Sequence, residues 1–403
     1  MSFFNFNKKK EKISLLFELR GDAVASSIIK THTNDKPEVL YFNKRVIALR
    51  EKINPERYTQ IIIKELDKLA EETYKVGILK ILKISDKNNQ ISEIHVILSS
   101  PWVLSQIKDI KIKKDKYFEI NQDLLSNVIM NEEHSLILPE IFEKKEVKQE
   151  AIIKIIEEKI IQSKLNGYKI NSIFQKRTNN LDINLFISIS NNLFIENIKK
   201  TIRKLFIKKP VYLHSFALVG FSVIRNIMPQ ISNFIFIDIG AEVTEVCFIT
   251  DDAIYKVFTY PFGKNSIIRK VAEETKTTYD TALAFINMQN DGKSEEKTML
   301  LNENAFDKSV SDWINGLYKI FISPISRESF SREIFLFADN EITNLIGKKI
   351  KEDGLKSFNI INNDFNITLI NNKKISSFIS EKKSFEEDAI LKVCSIFLNN
   401  LNH

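Results

Sequence analysis

The strongest constraint on the fold is an apolar stretch that turns back on itself, residues 234–249 (FIFIDIGAEVTEVCFI). Its first half ends at Asp238 and Gly240, passes a few small or polar residues, and resumes as a second apolar run. This pattern predicts two buried β-strands joined by a tight turn. A glycine there lets the backbone approach a phosphate, and an aspartate beside it can orient a metal-bound water. A plain surface turn between two buried strands is the alternative interpretation.

A second hairpin is predicted near the beginning of the chain. Residues 13–20 and 23–30 are apolar runs, and Gly21-Asp22 between them suits a tight turn. A strand over 38–46 follows the hairpin. A helix over 55–73, which starts with the capping pair Asn54-Pro55, and a strand over 94–98 come next. The half after residue 231 also starts with a hairpin, so the sequence predicts two lobes with a common hairpin-first order. Helices in the second half are predicted over 266–288, 306–321, 341–351 and 386–401.

The composition is that of an ordinary folded protein. With 403 residues, 43% of them hydrophobic and 28% charged, the chain is too long for one core and too apolar to be disordered. The net charge of +7 is a mild excess, so we expect no nucleic acid as a partner.

Cys247 and Cys394 lie in apolar contexts, and the five histidines show no metal-ligand spacing. No apolar run reaches the ~18–20 residues that span a bilayer and no signal peptide is recognisable, so we expect a cytoplasmic protein.

Residues 238–245 (DIGAEVTE) resemble the DIGGGTTD motif of the actin-like ATPase superfamily, in its FtsA-type cell-division and PilM-type pilus-assembly branch. Pro261-Phe-Gly263 before a predicted helix is similar to the turn that precedes a helix in that family. The order of predicted elements over residues 13–401 strengthens the resemblance. It implies a two-lobed actin-like (ribonuclease-H-like) α/β fold, with a small α+β subdomain inserted in the first lobe.

The resemblance also implies a division of the chain. The first lobe would occupy 13–102 and 179–230, the inserted subdomain 103–178, and the second lobe 231–403, with a reduced helical insertion at about 265–330. The alternating residues 181–189 predict the strand with which the first lobe resumes. Residues 1–12 would be a flexible tail. The tail carries three phenylalanines beside three lysines, which suits peripheral membrane contact or docking into a partner as an alternative to disorder.

In this family the two turns hold ATP and magnesium between the lobes. Carried over to this sequence, the resemblance implies a nucleotide site formed by Glu18, Arg20, Gly21, Asp22, Asp238, Gly240, Ala241, Thr244, Gly263 and Asp339. Asp238 and Glu18 would bind the magnesium ion, and Glu245 would be the general base.

Several positions depart from the family pattern. Arg20 stands where a glycine admits phosphate, and Glu242 and Val243 replace a glycine and a threonine. Glu242 adds a negative charge where a polyphosphate would lie, which opposes binding unless a cation bridges them. The adenosine loop of the family is rich in glycine, whereas residues 337–341 read FADNE, and 281–286 (TALAFI) lack the acidic and basic ribose contacts. These departures predict nucleotide binding that is weak or vestigial, and no efficient ATPase.

The resulting hypothesis is a cytoplasmic actin-like scaffold of a membrane-associated cell-division or pilus-type assembly, placed at the inner face of the membrane by its partners. The resemblance places a cytoplasmic peptide of a membrane protein, or another division or pilus component, at residues 103–178 and their groove with the first lobe. The alternative is an active actin-like ATPase. Self-association stays open, and the basic helix at 199–204 is interpreted as a solvated face.

Overall fold

The computed structural model describes most of the chain, namely residues 11–33, 35–48, 54–82, 90–134, 153–291, 296–322, 331–337, 342–350, 365–380 and 388–401. The strands are β1 (Glu11–Leu19), β2 (Ala23–His32), β3 (Glu38–Val46), β4 (Ile91–Leu98), β5 (Leu104–Glu119), β6 (Ile153–Leu165), β7 (Tyr168–Lys169), β8 (Arg177–Asn191), β9 (Val211–Ser215), β10 (Phe234–Ile239), β11 (Thr244–Thr250), β12 (Ala253–Tyr260), β13 (Glu333–Phe337) and β14 (Asn366–Ile370).

The helices are α1 (Pro55–Glu72), α2 (Gln122–His134), α3 (Asn192–Arg203), α4 (Phe216–Ile227), α5 (Lys264–Thr275), α6 (Tyr279–Asp291), α7 (Glu296–Ile322), α8 (Ile342–Lys349), α9 (Asn372–Ile375) and α10 (Ala389–Asn400). A π-helical segment, Thr73–Leu82, continues α1. The Asn54 side chain accepts a hydrogen bond from the backbone N–H of Arg57, as its predicted capping role requires. No helix within the described ranges is long and apolar enough to cross a bilayer.

Two of the three sheets have the same topology. The first sheet has the order β3-β2-β1-β4-β9 and the second has the order β12-β11-β10-β13-β14. In each sheet the first three strands are antiparallel and the last two join in parallel. The predicted hairpins are therefore equivalent elements of two similar lobes. The predicted two-lobed α/β fold is confirmed.

Each of the two sheets is covered on both faces, which explains why their central strands are apolar throughout. In β10 the side chains of Ile235 and Ile237 contact α5, α6, α7 and α8, whereas Phe234 and Phe236 face the opposite side. Helices α1 and α3 cover the outer face of the first sheet. This alternation fixes the strand register and, with it, the position of the turn after Ile239.

Helices α4 and α10 lie between the two sheets and form one core with both. This core joins Leu16 and Ile97 of the first sheet to Phe236 and Phe337 of the second. Gly220 of α4 lets the Phe236 ring come close, since an added Cβ would lie 2.7 Å from its Cζ. The shared core holds the two hairpin turns on the same side of the molecule.

The third sheet is an antiparallel unit with the order β5-β8-β6-β7, and α2 packs on one of its faces. Its β6–β7 hairpin also contacts the second lobe, because the Lys169 ammonium lies 2.7 Å from the Asp251 carboxylate in the β11–β12 turn. Gln162 donates a hydrogen bond to the Asp251 carbonyl at 2.8 Å. The third sheet is thus anchored to both lobes.

Some local predictions need correction. The strand at 181–189, which we assigned to the first lobe, is the centre of the third sheet and extends to Asn191, so the proposed boundary at 178/179 falls inside β8. β1 begins at Glu11, inside the predicted tail, whose residues 1–10 lie outside the described part. The single helix predicted over 266–288 is two helices, because Lys276 has a left-handed φ of 55° and ends α5. The remaining domain limits stay predictions.

Candidate functional site

The turns of the two equivalent hairpins meet in one cleft. A Cβ added at Gly21 would lie 2.9 Å from the Cβ of Ala241 and 3.1 Å from the Tyr58 hydroxyl. Across the same cleft, a Cβ added at Gly240 would lie 3.6 Å from the carbonyl of Ser100 in the first lobe. The predicted meeting of the turns near residues 20 and 240 is therefore observed. The turns also touch, so little space separates them.

Arg20 spans the cleft with its side chain. Its Nη2 donates a hydrogen bond to Asp238 Oδ1 at 3.0 Å, and both side chains are almost fully buried, at 4% and 3% exposure. Its Nη1 lies 3.8 Å from Glu18 Oε1, and the guanidinium stacks over the Phe216 ring at 5.3 Å. A charge-assisted hydrogen bond between buried groups is among the strong ones, so this pair joins the first lobe to the second.

Glu245 is a buried acid beside this ion pair. It lies opposite Asp238 in the β10–β11 register, is 1% exposed, and accepts a hydrogen bond from Ser100 Oγ at 3.3 Å. Burial and, after it, the negative charge of Asp238 raise the pKa of Glu245 to about 8. A carboxyl group with this pKa is mostly protonated at neutral pH, and the role of general base for Glu245 stays a prediction.

These acids do not fit a magnesium–phosphate group as they are arranged. Magnesium needs carboxylate oxygens directed at a common point with water and phosphate oxygens around it. Here the Arg20 guanidinium lies between Glu18 and Asp238 and supplies the positive charge itself. Among the described residues, no group of three or more histidine, cysteine, aspartate or glutamate side chains is arranged to hold a metal ion.

The backbone of the second turn is already bonded within the lobe. The N–H groups of Lys264 and Asn265 at the start of α5 donate to the carbonyls of Gly240 and Ala241, at 3.0 and 2.8 Å. Gly263, which caps α5, approaches the turn so closely that an added Cβ would lie 2.4 Å from the Ala241 oxygen. Gly240 and Gly263 therefore serve a close approach between backbone segments in this structure.

Two further side chains of this turn have internal partners. Glu242, which was expected to repel a polyphosphate, accepts hydrogen bonds from Asn265 at 2.7 Å and from Arg269 at 3.2 Å. Its charge is thus neutralised by α5. Thr244 is fully buried, donates to the Phe262 carbonyl at 2.7 Å, and accepts from Trp313 Nε1 at 2.9 Å. Both contacts are structural.

The first turn is held by residues that sequence reasoning missed. Trp102 Nε1 donates to the Arg20 carbonyl at 2.9 Å, the Tyr58 hydroxyl donates to the Gly21 carbonyl, and Lys264 pairs with Asp22 across the cleft. Burial raises the pKa of the Tyr58 hydroxyl above its ordinary value. The sequence contained a signal for Trp102. Residues 99–102 directly follow a parallel strand, and binding sites of α/β sheets lie beyond the carboxyl ends of such strands.

The predicted adenosine side of the cleft is only partly described. Asp339 lies outside the described residues, as do its neighbours at 338–341. Residues 281–286 lie on α6, where Ala282 and Ile286 are buried against the second sheet. The structure therefore brings together the predicted site residues of the two turns and leaves Asp339 as a prediction.

The comparisons with known proteins agree with this geometry. No protein-family model and no curated protein sequence matches the chain. Among solved structures, the chain is similar to one described as the PilM-PilN type IV pilus biogenesis complex, with 12% identity, 96% of each chain covered and a TM-score of 0.60. The chain has an actin-like fold. At 12% identity, this likeness shows the fold of the chain and does not show its activity or its partners.

Two other solved structures resemble the actin-like chain at lower scores. One is a Bacteroides thetaiotaomicron protein described as having an actin-like ATPase fold and unknown function, with 7% identity, 98% and 99% coverage and a TM-score of 0.42. The other is the ethanolamine utilization protein EutJ from Carboxydothermus hydrogenoformans, with 8% identity, 89% and 84% coverage and a TM-score of 0.43.

Proposed function

We propose that this protein is an actin-like scaffold whose cleft is closed by its own side chains in place of a nucleotide. In this role it links a membrane protein to a cytoplasmic assembly of the pilus or cell-division type. Nucleotide binding is vestigial, and the lobes keep one relative position without it. The protein acts by presenting a fixed surface to partners.

The observation that carries the proposal is the buried contact between Arg20 and Asp238. Arg20 satisfies the acid that would otherwise face a metal-bound water, and Gly21 packs against Ala241 where phosphate would enter. An entering polyphosphate would have to break this pair and separate the turns. The free energy for both would come from the binding energy of the nucleotide, which would weaken its affinity.

The partner class is proposed from the fold neighbour and from the surface of the third sheet. The neighbour is part of a complex for type IV pilus biogenesis, so we infer a peptide of a membrane protein as the partner of this chain. Among its described residues, the part of the chain that contains the third sheet exposes four large apolar side chains: Tyr168 at 80%, Tyr117 at 61%, Met130 at 53% and Phe174 at 50%. Exposed aromatic and methionine side chains are typical of surfaces that bind partners.

A calorimetric titration with ATP and magnesium at high protein concentration tests the cleft. We expect no heat of binding from the wild-type protein, because Arg20 and Asp238 are already paired. Arg20→Gly, alone and combined with Glu242→Gly, serves as a restoring control that opens the space for phosphate. An active ATPase would instead bind ATP as the wild type and lose binding in Asp238→Ala, and that result would refute the proposal.

Photo-crosslinking from the third sheet tests the partner class. A crosslinking amino acid at Tyr117 in the full-length chain is expected to capture an integral membrane protein from membranes of the native host. The same amino acid at Ile207, which is 68% exposed in the first lobe, is the matched control. Equal capture from both positions, or capture of soluble proteins alone, would contradict the proposed surface.

A further inference from the structure

A line of carboxylates and imidazoles, buried at His95 and partly buried at the other three residues, lies where the first sheet, the third sheet and α4 meet. Glu93 and His95 are on β4, His214 is on β9, and Glu157 is on β6. His95 Nε2 lies 2.9 Å from Glu93 Oε1, and His214 Nδ1 lies 3.0 Å from Glu157 Oε1. Between them, His95 Nδ1 lies 3.0 Å from His214 Nε2. The four side chains, called the histidine chain below, form a continuous series of hydrogen bonds.

The distances fix the number of protons in the histidine chain. Each carboxylate needs an N–H from the imidazole beside it, which places one proton on His95 Nε2 and one on His214 Nδ1. The two remaining ring nitrogens face each other at 3.0 Å. Two lone pairs at this distance would repel and two N–H groups would clash, so one proton lies between them. The pair of rings therefore holds three protons and one positive charge.

Charged and polar groups from the surrounding elements support both ends. Lys12 of β1 places its Nζ 2.5 Å from Glu93 Oε2, and Ser14 Oγ of the same strand donates to Glu93 Oε1 at 3.5 Å. At the other end, the backbone N–H and the hydroxyl of Ser215 donate to Glu157 Oε2 at 3.2 and 3.0 Å. Two carboxylates, the ammonium of Lys12 and one charged imidazole sum to zero, so the group is neutral as a whole.

Aromatic rings enclose the two imidazoles. The Tyr212 ring of β9 stacks on His95 at 5.4 Å, and the Phe397 ring of α10 meets His214 edge-on at 5.1 Å. Burial lowers the pKa of His95 from its ordinary value, whereas the hydrogen bond from His95 lowers the pKa of Glu93 to about 2. Burial thus disfavours a positive charge on His95.

We propose that the histidine chain is a proton-dependent joint that holds the third sheet against the first sheet. The joint is complete while the two rings share three protons. Ser215, which binds Glu157, also caps α4, so the joint reaches the helix that lies between the lobes. The bonds from His214 and Ser215 to Glu157 link the third sheet to the first. The His214 bond weakens when the ring pair loses its positive charge, or when a fourth proton places two N–H groups face to face.

The direction of each pH effect follows from the proton count. As pH rises, the shared proton is lost, the two facing nitrogens both become acceptors, and the joint weakens. As pH falls below about 6.5, an unfolded histidine takes up a proton that buried His95, with its lowered pKa, resists. The unfolded state then binds more protons than the folded state, and the stability that the joint contributes decreases. The stability that the histidine chain contributes is therefore greatest at a pH between two values. Above the higher value the shared proton is lost, and below the lower value unfolded histidines become protonated.

Nitrogen-15 NMR of the full-length, histidine-labelled protein tests the proton count directly. At neutral pH we expect the pair to hold three protons, with one imidazolium ring and one neutral ring. The single variants His95→Gln and His214→Gln identify the two sets of signals in the spectrum of the wild type. Two neutral rings, or two imidazolium rings, would overturn the proposal.

A pH series of thermal unfolding tests the joint itself. The difference in Tm between the wild type and His214→Gln is expected to be bell-shaped in pH. His32→Gln is the control, because His32 is a partly buried histidine whose Nδ1 lies 3.6 Å from Glu11, outside the histidine chain. The wild type and this control should show parallel profiles. A difference between the wild type and His214→Gln that does not change with pH would refute a proton-dependent joint.

Discussion

The two lobes share one sheet topology but differ in what their equivalent turns contribute to the cleft. The first-lobe turn contributes charged side chains, since Arg20 reaches Asp238 and Asp22 pairs with Lys264. The second-lobe side contributes the partners Asp238 and Lys264 and, in addition, close backbone approaches at Gly240 and Gly263. The strands keep their order because apolar cores hold them, whereas the turns differ because their contacts are made in the cleft. An actin-like sheet order is therefore compatible with turns that are bonded to each other.

The largest expected effect comes from removing the cation of the first-lobe turn. Arg20→Met leaves Glu18 and Asp238 buried without their positive partner, and we expect a loss of about 3–5 kcal/mol in the free energy of unfolding. Lys264→Met is the matched control on the other ion pair of the cleft, with an expected loss of about 1–2 kcal/mol. Urea denaturation measures both. Equal losses in the free energy of unfolding would mean that the two ion pairs contribute equally to stability, which would contradict the expected difference.

Glycine substitutions are expected to have a smaller effect and to separate backbone contacts from side-chain contacts. In Gly263→Ala the new methyl group meets backbone oxygens of residues 240 and 241 at 2.4–2.5 Å, and we expect a loss of about 1–3 kcal/mol. In Gly21→Ala the nearest atom is the Cβ of Ala241 at 2.9 Å, a milder overlap than the one at Gly263, so the loss should be smaller. Thermal unfolding compares them. A larger loss for Gly21→Ala would reverse the assignment of roles to the two turns.

The last expected effect accumulates with pH and concerns the buried acid of the second lobe. The pKa of Glu245 is raised to about 8 in the folded state, against about 4.3 in an unfolded chain, so the folded state holds a proton that the unfolded state releases between these values. The contribution of Glu245 to stability should therefore decrease as pH rises from 5 to 8, by at most about 1.4 kcal/mol per pH unit. Glu245→Gln should remove this slope. Urea midpoints at four pH values check it, and parallel profiles for the two proteins would contradict the raised pKa.

The sequence was sufficient for the elements whose signals are local. Apolar runs around Gly21-Asp22 and Gly240 predicted both hairpins, and Asn54-Pro55 predicted the start of α1. Alternation in β8 identified a strand but could not say which sheet it joins, because period-two patterning carries no information about the partner strand. The two-lobed architecture came from the family resemblance together with the order of these elements.

The contacts of the cleft were beyond local pattern. Arg20 was recognised as unusual for its turn, yet its bond to Asp238 joins residues 218 positions apart. Glu242 was expected to add an uncompensated negative charge, but Arg269, which lies 27 positions further on, neutralises it once α5 packs beside the turn. Partners of this kind are fixed by tertiary packing, so they become visible only when the fold is known.

The contact between Asp251 and the β6–β7 hairpin has a mechanical consequence. Lys169 and Gln162 attach the far end of the third sheet to the second lobe, while Glu157 attaches its other side to the first lobe. A force on the third sheet would be shared by its contacts with the two lobes, so it would not act on a single hinge. A sheet held at two separate points is suited to bearing a steady load.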